Sequence, residues 1–412
     1  MPTDGNSTVS ALVNRRDFCR ALPALTMLPA LSADSAIALP LGQAELGLRI
    51  TEMEVIGVRA TTRTNWIFVR LTTNDGQTGL GEASVNRRLD LSELSGFFNL
   101  VRDRSPFEIE RYRQAGWATA SAGNRQEATA FSAIEQAQWD LVGKSLGAPV
   151  YDLVGGRLRD ELPVYANINR ATVDRSPSGF AVNAQQAVAD GFRAIKAAPF
   201  DGFPSLDQSR AEIEAATELG IRCIEAMRAA IGPDIDLKID VHSNFDVPLA
   251  IDVATRLEPQ QLSWYEEPVP PTDLESTVAI KNGIRQPMAG GEFLFGVEGF
   301  SPLCQNSAVD IIMPDVKHCG GIAEIRRIST VADLHGVLVS PHNPSGPLST
   351  MVSAQVCAGL PNFNILEYQW NEVPWRGDLV DPPEQFSEGI LEVPDGPGHG
   401  VTLNNTVVRE HR

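Results

Sequence analysis

Six polar residues that can carry chemistry end successive apolar runs in the second half of the chain, and their spacing constrains the fold strongly. They are Asp240, Glu266, Glu292, Asp315, His342 and Glu367. By subtraction of their positions, neighbours in this series lie 23 to 27 residues apart. One strand, one helix and their loops fill such an interval, so each residue would recur at the same point of a β/α unit. The spacing therefore predicts that all six side chains meet at the carboxyl ends of parallel strands.

The pattern from Leu162 onward predicts the barrel that would hold them. Eight short β-like runs alternate with helical stretches, at residues 163–167, 194–198, 237–241, 262–266, 288–292, 311–315, 337–341 and 363–367. Eight parallel strands with intervening helices close a (β/α) barrel. An open doubly wound sheet would also alternate strand and helix, but no Gly-rich nucleotide turn follows the first strand.

The preceding region has a different pattern. An alternating run from Trp66 to Thr72 is followed by Asn74-Asp75-Gly76, which is typical of a hairpin turn, and then by a second strand-like run to Glu82. From residue 89 to 147 the period becomes helical, with Phe131, Ile134, Ala137, Gln138 and Leu141 on one stripe. We predict a small α+β domain over residues 45–157 and a barrel over residues 158–380.

The first 38 residues have the order of a secretory signal. Arg15 and Arg16 precede an uncharged apolar run over residues 21–33, and Ala36-Ile37-Ala38 follows as a small-residue cleavage site. The paired arginines before Phe18 resemble a twin-arginine signal. The apolar run is too short for a stable membrane anchor. We expect export to the periplasm, or a cytoplasmic protein if this segment is not a functional signal.

The charge of the chain excludes some partners. A formal net charge of -18 is a poor match to nucleic acid or to an anionic membrane. An anionic substrate would therefore need cations placed locally at its site. The five cysteines lack the paired spacing of zinc sites or small disulfide frameworks, so we predict that most are buried small hydrophobic residues.

The carboxylates at the first three of the six strand ends predict a metal site. Asp240, Glu266 and Glu292 would repel one another in a partly dry barrel mouth unless a cation lay among them. Oxygen ligands favour Mg²⁺, with Mn²⁺ as an alternative, over zinc. Asp315 and His342 end neighbouring strands, where a carboxylate can orient an imidazole and raise its basicity.

His242 follows Asp240 by two residues. Because side chains alternate along a strand, residues two apart point to the same face, so both would project into one site. His318, His335, His399 and His411 lack such a partner, and we assign them no role.

Several motifs together resemble the enolase superfamily, in its mandelate racemase-like subgroup. The resemblance covers roughly residues 48–405. Its motifs are Trp66-Ile67-Phe68-Val69-Arg70 through Gly79-Leu80-Gly81-Glu82, Ala137-Gln138-Trp139-Asp140, Leu153-Val154-Gly155-Gly156, Glu266-Glu267-Pro268, Gly291-Glu292, Pro314-Asp315 and Gly320-Gly321. The resemblance implies an α+β capping domain on a (β/α)7β modified TIM barrel, with a final segment at about 391–405 returning to the cap.

The resemblance also implies roles for the site residues. Metal ligation would fall to Asp240, Glu266 and Glu292, and the His342–Asp315 dyad would be the general base. The subgroup's racemases carry Lys-x-Lys on the second strand, but this chain has Lys196 followed by Ala198 in the second place, which puts two-base racemisation through Lys in doubt. His242 instead matches the general acid of acid-sugar dehydratases of the galactonate dehydratase type.

Two further residues have alternative interpretations. Lys196 would contact the substrate carboxylate or the enediolate oxygen, or be a solvated lysine of the barrel rim. Glu367 would hydrogen-bond the substrate as a partly protonated acid, or form a salt bridge at the barrel end. Elimination needs a base for the α-proton and an acid for the leaving hydroxyl, and His342 and His242 provide that pair.

The sequence therefore predicts a Mg²⁺-dependent dehydratase of a sugar acid that yields a 2-keto-3-deoxy acid. A racemase, epimerase or related isomerase is the alternative, and a non-catalytic exported sugar-acid binder is a third class. Loops expected to contact the substrate contain Arg63, Trp66, Asn86, Arg87 and Trp375, although these could equally be surface residues. Analogy with the family predicts a homo-oligomer. Whether the substrate has one carboxylate or two stays open.

Overall fold

The computed structural model describes residues 47–85 and 87–412. The predicted signal segment and Asn86 lie outside the described residues. No helix in these two ranges is long and apolar enough to cross a membrane.

A three-stranded antiparallel sheet begins the described chain. Strands β1 (Ile50–Arg59), β2 (Asn65–Thr73) and β3 (Thr78–Glu82) pair in that order. The predicted turn joins β2 to β3, and Gly76 takes a φ of 87°, a left-handed conformation that glycine adopts without steric cost. The hairpin prediction is confirmed.

Four helices follow the sheet: α1 (Leu94–Val101), α2 (Ile109–Ala122), α3 (Arg125–Leu146) and α4 (Val150–Leu153). A capping box between Asn124 and Glu127 begins α3, and left-handed Gly147 ends it. The five residues of the predicted α3 stripe are all buried, as the helical period requires. The sheet and helices α1 to α3 share one hydrophobic core, which includes Ile67, Phe131 and Ile134.

Eight parallel strands form the barrel and confirm the predicted fold class. They are β4 (Glu161–Asn167), β5 (Ala194–Ala197), β6 (Asp236–Asp240), β7 (Trp264–Glu266), β8 (Met288–Gly290), β9 (Ile311–Ile312), β10 (Leu338–Val339) and β11 (Leu366–Gln369). Strands β4 to β10 pair in sequence order, β11 pairs with β4, and a bridge between Val339 and Phe363 links β10 to the segment before β11.

One helix lies between each pair of consecutive barrel strands. These helices are α5 (Pro177–Ala189), α6 (Arg210–Ile231), α7 (Val247–Arg256), α8 (Leu274–Gly283), α9 (Gly296–Gln305), α10 (Ile322–Leu334) and α11 (Pro347–Cys357). The sequence pattern predicts a helix over residues 209–219, and α6 is much longer than that run. Its start at the capping box of Ser209 and Glu212 was readable, but its extension to Ile231 follows from packing against the barrel.

The strand ends differ from the prediction. Strands β8, β9 and β10 stop at Gly290, Ile312 and Val339, two or three residues before Glu292, Asp315 and His342. At β8 the reason is visible: Gly291 has a φ of 103° and its N–H donates to the side chain of Glu267. Glu292, Asp315 and His342 thus lie on the loops that follow these three strands.

Glu367 is the opposite case, because it lies within β11 and does not end it.

The chain after the barrel contains β12 (Val380–Asp381), β13 (Phe386–Ser387), β14 (Ile390–Glu392), β15 (Thr402–Leu403) and helix α12 (Asn405–Glu410). Strand β14 pairs antiparallel with β4, while the segment beyond it reaches the N-terminal helices. The N–H of Val150 donates to Gly398 O at 2.9 Å, and the N–H of His399 donates to Asp140 Oδ1 at 2.8 Å. The four described cysteines are buried and free, as predicted.

Candidate active site

A cavity of ≈ 170 Å³ opens at the carboxyl ends of the barrel strands, beneath the N-terminal domain. The barrel lines it with Asn167, Lys196, Asp240, His242, Glu292, Lys317, His318 and His342 among others, and the N-terminal domain lines it with Thr64, Ser84, Val85 and Arg125. Enzymes built on such barrels keep their active sites at this end.

Asp240 and His242 meet in this cavity, but not for the predicted reason. Strand β6 ends at Asp240, and His242 follows in a left-handed conformation with a φ of 51°. The N–H of His242 donates to Asp240 Oδ1 at 3.0 Å, which closes a tight turn. His242 Nε2 lies 3.1 Å from Asp240 Oδ2. A side-chain–backbone turn, rather than strand alternation, brings the imidazole back to the carboxylate.

Asp201 is the second partner of His242 and was missed by the sequence analysis. It lies in the loop after β5, with Oδ1 2.6 Å from His242 Nδ1. The neighbouring carboxylates of Asp240 and Asp201 raise the pKa of His242 to about 12. These carboxylates favour the protonated imidazole, which can give up a proton, and Asp201 fixes the orientation of the ring through Nδ1.

His342 and Asp315 are also brought together. His342 Nδ1 lies 2.7 Å from Asp315 Oδ2, and its Nε2 lies 3.1 Å from Glu292 Oε2. Burial disfavours the protonated imidazole, but Glu292 and Asp315 outweigh burial and raise the pKa of His342. His242 and His342 thus share one arrangement, in which a carboxylate binds Nδ1 and Nε2 points at a carboxylate of the cavity.

The carboxylates best placed to hold a metal ion are those of Asp240 and Glu292. Within the described ranges they belong, with His242, to the one cluster of this kind, in which a ligand atom from each residue lies within 4.8 Å of the others. His242 could bind a metal only as a neutral imidazole, and its carboxylate partners favour the protonated form. Glu292 Oε2 is buried without a hydrogen-bond donor, because the nearby His342 Nε2 lies outside hydrogen-bonding geometry. An orphaned carboxylate oxygen beside a second carboxylate suits a hard divalent cation such as Mg²⁺.

Glu266 does not join this cluster, unlike in the prediction. Its two oxygens accept from Lys196 Nζ at 2.6 Å and from Trp264 Nε1 at 2.8 Å. Lys196 is buried and also lies 3.3 Å from Asp240 Oδ2 and 3.4 Å from Glu367 Oε1. The lysine is therefore a buried counter-ion of three carboxylates that also lines the cavity, and not a solvated residue of the barrel rim.

Of the two interpretations of Glu367, the structure favours the salt bridge, because its Oε1 lies 3.4 Å from Lys196 Nζ. Glu367 Oε1 accepts from Asn167 Nδ2 at 2.6 Å, and Oε2 accepts from the N–H of Asn343 at 2.7 Å. Burial raises its pKa, but Lys196 and His342 reverse that effect and lower it overall. These neighbours favour the ionised carboxylate, which holds the loop of His342 through the N–H of Asn343.

Lys317 and His318 line the cavity, although the sequence analysis assigned His318 no role and did not consider Lys317. Lys317 Nζ lies 3.0 Å from Asp315 Oδ2, and His318 Nδ1 lies 2.8 Å from the Thr129 hydroxyl on α3. The sequence contained a pattern that could have identified Lys317. Lys317 follows Asp315 by two residues and its N–H donates to Asp315 Oδ1, just as His242 follows Asp240 by two residues and its N–H donates to Asp240 Oδ1.

The loops predicted to contact substrate do reach the cavity, but through other side chains. Thr64 lines it beside exposed Arg63, and Ser84 and Val85 line it near exposed Arg87.

Two predicted aromatic contacts face elsewhere. Trp66 is buried against Trp375, with ring centroids 5.3 Å apart, and Trp375 stacks on His411 at 3.8 Å. Of the five predicted contacts, the four that the structure describes are absent from the lining of the cavity.

Two buried glutamates fasten the N-terminal domain to the barrel beside the site. Glu82 accepts from the N–H groups of Gly346 and Ser349 at 2.8 Å each, at the start of α11. Glu135 on α3 accepts from the N–H groups of Ile322 and Ala323, at the start of α10. Both carboxylates meet the unpaired donors of a helix N-terminus, which is where a negative charge is stabilised.

Comparison with known proteins matches both parts of the chain. Residues 49–155 match the model "Mandelate racemase / muconate lactonizing enzyme, N-terminal domain", and residues 179–407 match "Enolase C-terminal domain-like". The D-gluconate dehydratase of Thermoproteus tenax is 35% identical over 356 residues, which cover 84% of this chain and 69% of that protein. The D-galactarolactone cycloisomerase of Agrobacterium fabrum is 30% identical, covering 88% of this chain and 95% of that protein.

A solved structure, that of a mandelate racemase/muconate lactonizing enzyme from Sulfitobacter sp., superposes with a TM-score of 0.81. It is 27% identical, and the match covers 89% of this chain and 96% of the other.

Proposed function

Because the chain belongs to the enolase superfamily, with both domains of the mandelate racemase/muconate lactonizing enzyme type, we propose that it is a Mg²⁺-dependent sugar-acid dehydratase. The product would be a 2-keto-3-deoxy acid. One observation carries the proposal: two oriented imidazoles, His242 and His342, direct their Nε2 atoms at the carboxylates of Asp240 and Glu292 in one cavity. The similarity to the D-gluconate dehydratase of Thermoproteus tenax also favours this reaction.

The two histidines divide the elimination between them. In its neutral form His342 takes the proton from the carbon next to the substrate carboxylate, and Asp315 stabilises the imidazolium that results. His242, held as a cation, protonates the β-hydroxyl as its C–O bond breaks, so that water leaves. The enol that remains tautomerises to the 2-keto acid. One proton and one hydroxide are lost, so the atoms balance.

The metal would be held by Asp240 and Glu292, with Glu266 as the ligand implied by the family. When bound, Mg²⁺ neutralises the substrate carboxylate and stabilises negative charge on its oxygens as the α-proton leaves. Lys196 adds a fixed positive charge at the same edge of the cavity. Without these positive charges, the carboxylates of the site would repel an anionic substrate.

A library of acid sugars, incubated with the purified protein and Mg²⁺, tests the proposal through formation of 2-keto acid. We expect turnover of at least one acid, loss of turnover in His342→Asn, and retained binding in that variant. His335→Asn, which changes an exposed histidine, is the matched control. Proton exchange or epimerisation without any keto acid would overturn the assignment.

An isomerase is the second candidate, favoured by the cycloisomerase from Agrobacterium fabrum. It would use the same metal and the same base, with His242 returning a proton to carbon instead of to a leaving hydroxyl. In D₂O the isomerase would place deuterium on the α-carbon, whereas the dehydratase would place it on the β-carbon when the enol tautomerises. Only the isomerase retains every hydroxyl, so mass spectrometry of the products separates the two reactions.

We also propose that residues 1–38 direct export and that the protein is a homo-oligomer. The support is the paired Arg15 and Arg16 before an apolar run, and family analogy for the oligomer. Export predicts that the wild-type protein is recovered from the periplasm and that the Arg15→Lys/Arg16→Lys variant is not. Recovery of both proteins from the cytoplasm in equal amounts would contradict export. Light scattering on the purified protein measures the oligomeric state.

A further inference from the structure

The cations that line the cavity differ in whether they already have a carboxylate partner. Arg170 Nη1 lies 2.9 Å from Glu372, Lys196 Nζ lies 2.6 Å from Glu266, and Lys317 Nζ lies 3.0 Å from Asp315. Arg125 also lines the cavity, yet its guanidinium has neither an ion-pair partner nor a hydrogen-bond acceptor in the described part of the chain. This side chain therefore contributes one uncompensated positive charge.

Arg125 is held in position by the fold. It is the first residue of α3, which the Asn124–Glu127 capping box begins. Its guanidinium carbon lies 3.2 Å from the ring centroid of Phe293, and that ring lies 5.6 Å from the imidazole of His342. Stacking on an aromatic face uses the flat side of a guanidinium and leaves its N–H edges free to donate. The donors are thus available on the side of the cavity that the N-terminal domain covers.

The surroundings of Arg125 favour an anionic ligand. The side chain is partly buried, and burial lowers its pKa even though Glu292, Asp315 and Glu267 act in the opposite direction. Those three carboxylates are already engaged, by the candidate metal position, by His342 and Lys317, and by the N–H of Gly291. A charge that is partly removed from water and lacks a direct partner is stabilised most by an anion that accepts two N–H donors.

We propose that Arg125 binds a second carboxylate of the substrate, on the side of the cavity lined by the N-terminal domain, so that this enzyme prefers di-acid sugars over mono-acid sugars. This proposal rests on the proposed function, since the first carboxylate and the reacting carbons are assigned to the Asp240–Glu292 side beside His342. A terminal hydroxymethyl group would offer Arg125 one neutral acceptor. A terminal carboxylate offers two acceptors and the compensating charge.

The experiment compares pairs of substrates that differ only at the terminal carbon, such as gluconate with glucarate and galactonate with galactarate. We expect kcat/KM for the preferred di-acid to exceed that for its mono-acid counterpart by about tenfold or more, the discrimination typical of a hydrogen bond to a charged group. In Arg125→Met that ratio should fall to about one because the di-acid loses its partner. Arg125→Lys should retain part of the preference.

Arg102→Met is the matched control, because Arg102 is an exposed arginine of the same domain that stacks on Phe98, 4.8 Å from its centroid, and does not line the cavity. It should leave the ratio unchanged. A wild-type enzyme that prefers mono-acids, or a di-acid preference that survives Arg125→Met, would overturn the proposal.

A second measurement separates this inference from the proposed function. Calorimetry of the Mg²⁺-loaded His342→Asn variant, with and without Arg125→Met, reports binding of each acid without turnover. If the wild-type enzyme forms keto acid from mono-acids only, the dehydratase assignment stands and the proposed role of Arg125 is rejected. Arg125-dependent binding of di-acids without keto acid from any substrate would keep the role of Arg125 and reject the dehydratase.

Discussion

Asp201 binds His242 through a 2.6 Å contact between Oδ1 and Nδ1, as Asp315 binds His342 through a 2.7 Å contact between Oδ2 and Nδ1. Each imidazole is thereby fixed from behind, and each presents Nε2 to the cavity. A carboxylate behind an imidazole sets its ring orientation and stabilises its cation. The site therefore has two imidazole–carboxylate pairs, of which the sequence predicted one.

The Asp201–His242 pair predicts a selective defect. In Asp201→Asn the amide keeps a polar contact but not the charge, so the pKa of His242 should fall and its orientation should loosen. We expect kcat for keto-acid formation to fall by about tenfold to a hundredfold, the usual effect of losing such an orienting partner. Exchange of the α-proton with solvent deuterium should continue, because His342 is untouched.

Asp207→Asn, an exposed change in the same loop, is the control for that experiment. An equal loss of exchange and elimination in Asp201→Asn would mean that Asp201 merely supports the fold.

We expect replacement of Lys196 to lower the free energy of unfolding strongly. Lys196→Met would leave the buried carboxylates of Asp240, Glu266 and Glu367 without their shared cation. Breaking a buried ion pair from one side costs about 3 kcal/mol or more in the free energy of unfolding. Urea denaturation in the presence of a chelator measures this loss.

Lys281→Met provides the comparison, because its ion pair with Asp310 at 2.9 Å is partly exposed and should cost less than about 1 kcal/mol. Equal losses in the two variants would show that Lys196 is not the main counter-ion of the site.

We expect removal of the metal to abolish catalysis and to leave the fold intact. Dialysis against a chelator should abolish keto-acid formation, and Mg²⁺ or Mn²⁺ should restore it, because the candidate ligands are hard carboxylate oxygens. Circular dichroism should be unchanged, since Lys196 already compensates three of the carboxylates. Full activity in the chelated protein would contradict the metal assignment.

We expect the stability of the folded protein to depend on pH through the carboxyl group of Glu135. Burial raises its pKa to about 7 from an ordinary value of 4.5, although the N–H groups of Ala323 and Ile322 act against that rise. The folded protein therefore binds a proton more tightly than the unfolded chain, and this contribution is fully present below pH 4.5. It is lost as the pH rises through 7 and amounts to about 3 kcal/mol.

Glu135→Gln should remove this slope from the curve of unfolding free energy against pH. Exposed Glu225→Gln should leave the slope in place. A slope between pH 4.5 and 7 that is the same in the wild type and Glu135→Gln would contradict the prediction.

Local patterns were sufficient for part of this structure. The hairpin at Gly76, the buried stripe of α3 and the capped start of α6 follow from residues close in sequence, so they could be read directly. The end of β8 could not, because the N–H of Gly291 donates to the distant Glu267 side chain in place of the ladder.

The sequence by itself determined the barrel and its chemistry-bearing mouth, because the spacing of one β/α unit forces Asp240, Glu292, Asp315 and His342 to the same end. Tertiary structure alone decided which partner each side chain takes. Asp201 reaches His242 across 41 positions, Lys196 pairs with Glu266, and Arg125 comes from another domain. Periodicity fixes the end of a barrel at which a residue lies, but contacts between distant residues depend on loop conformations and charge balance, which only the assembled fold defines.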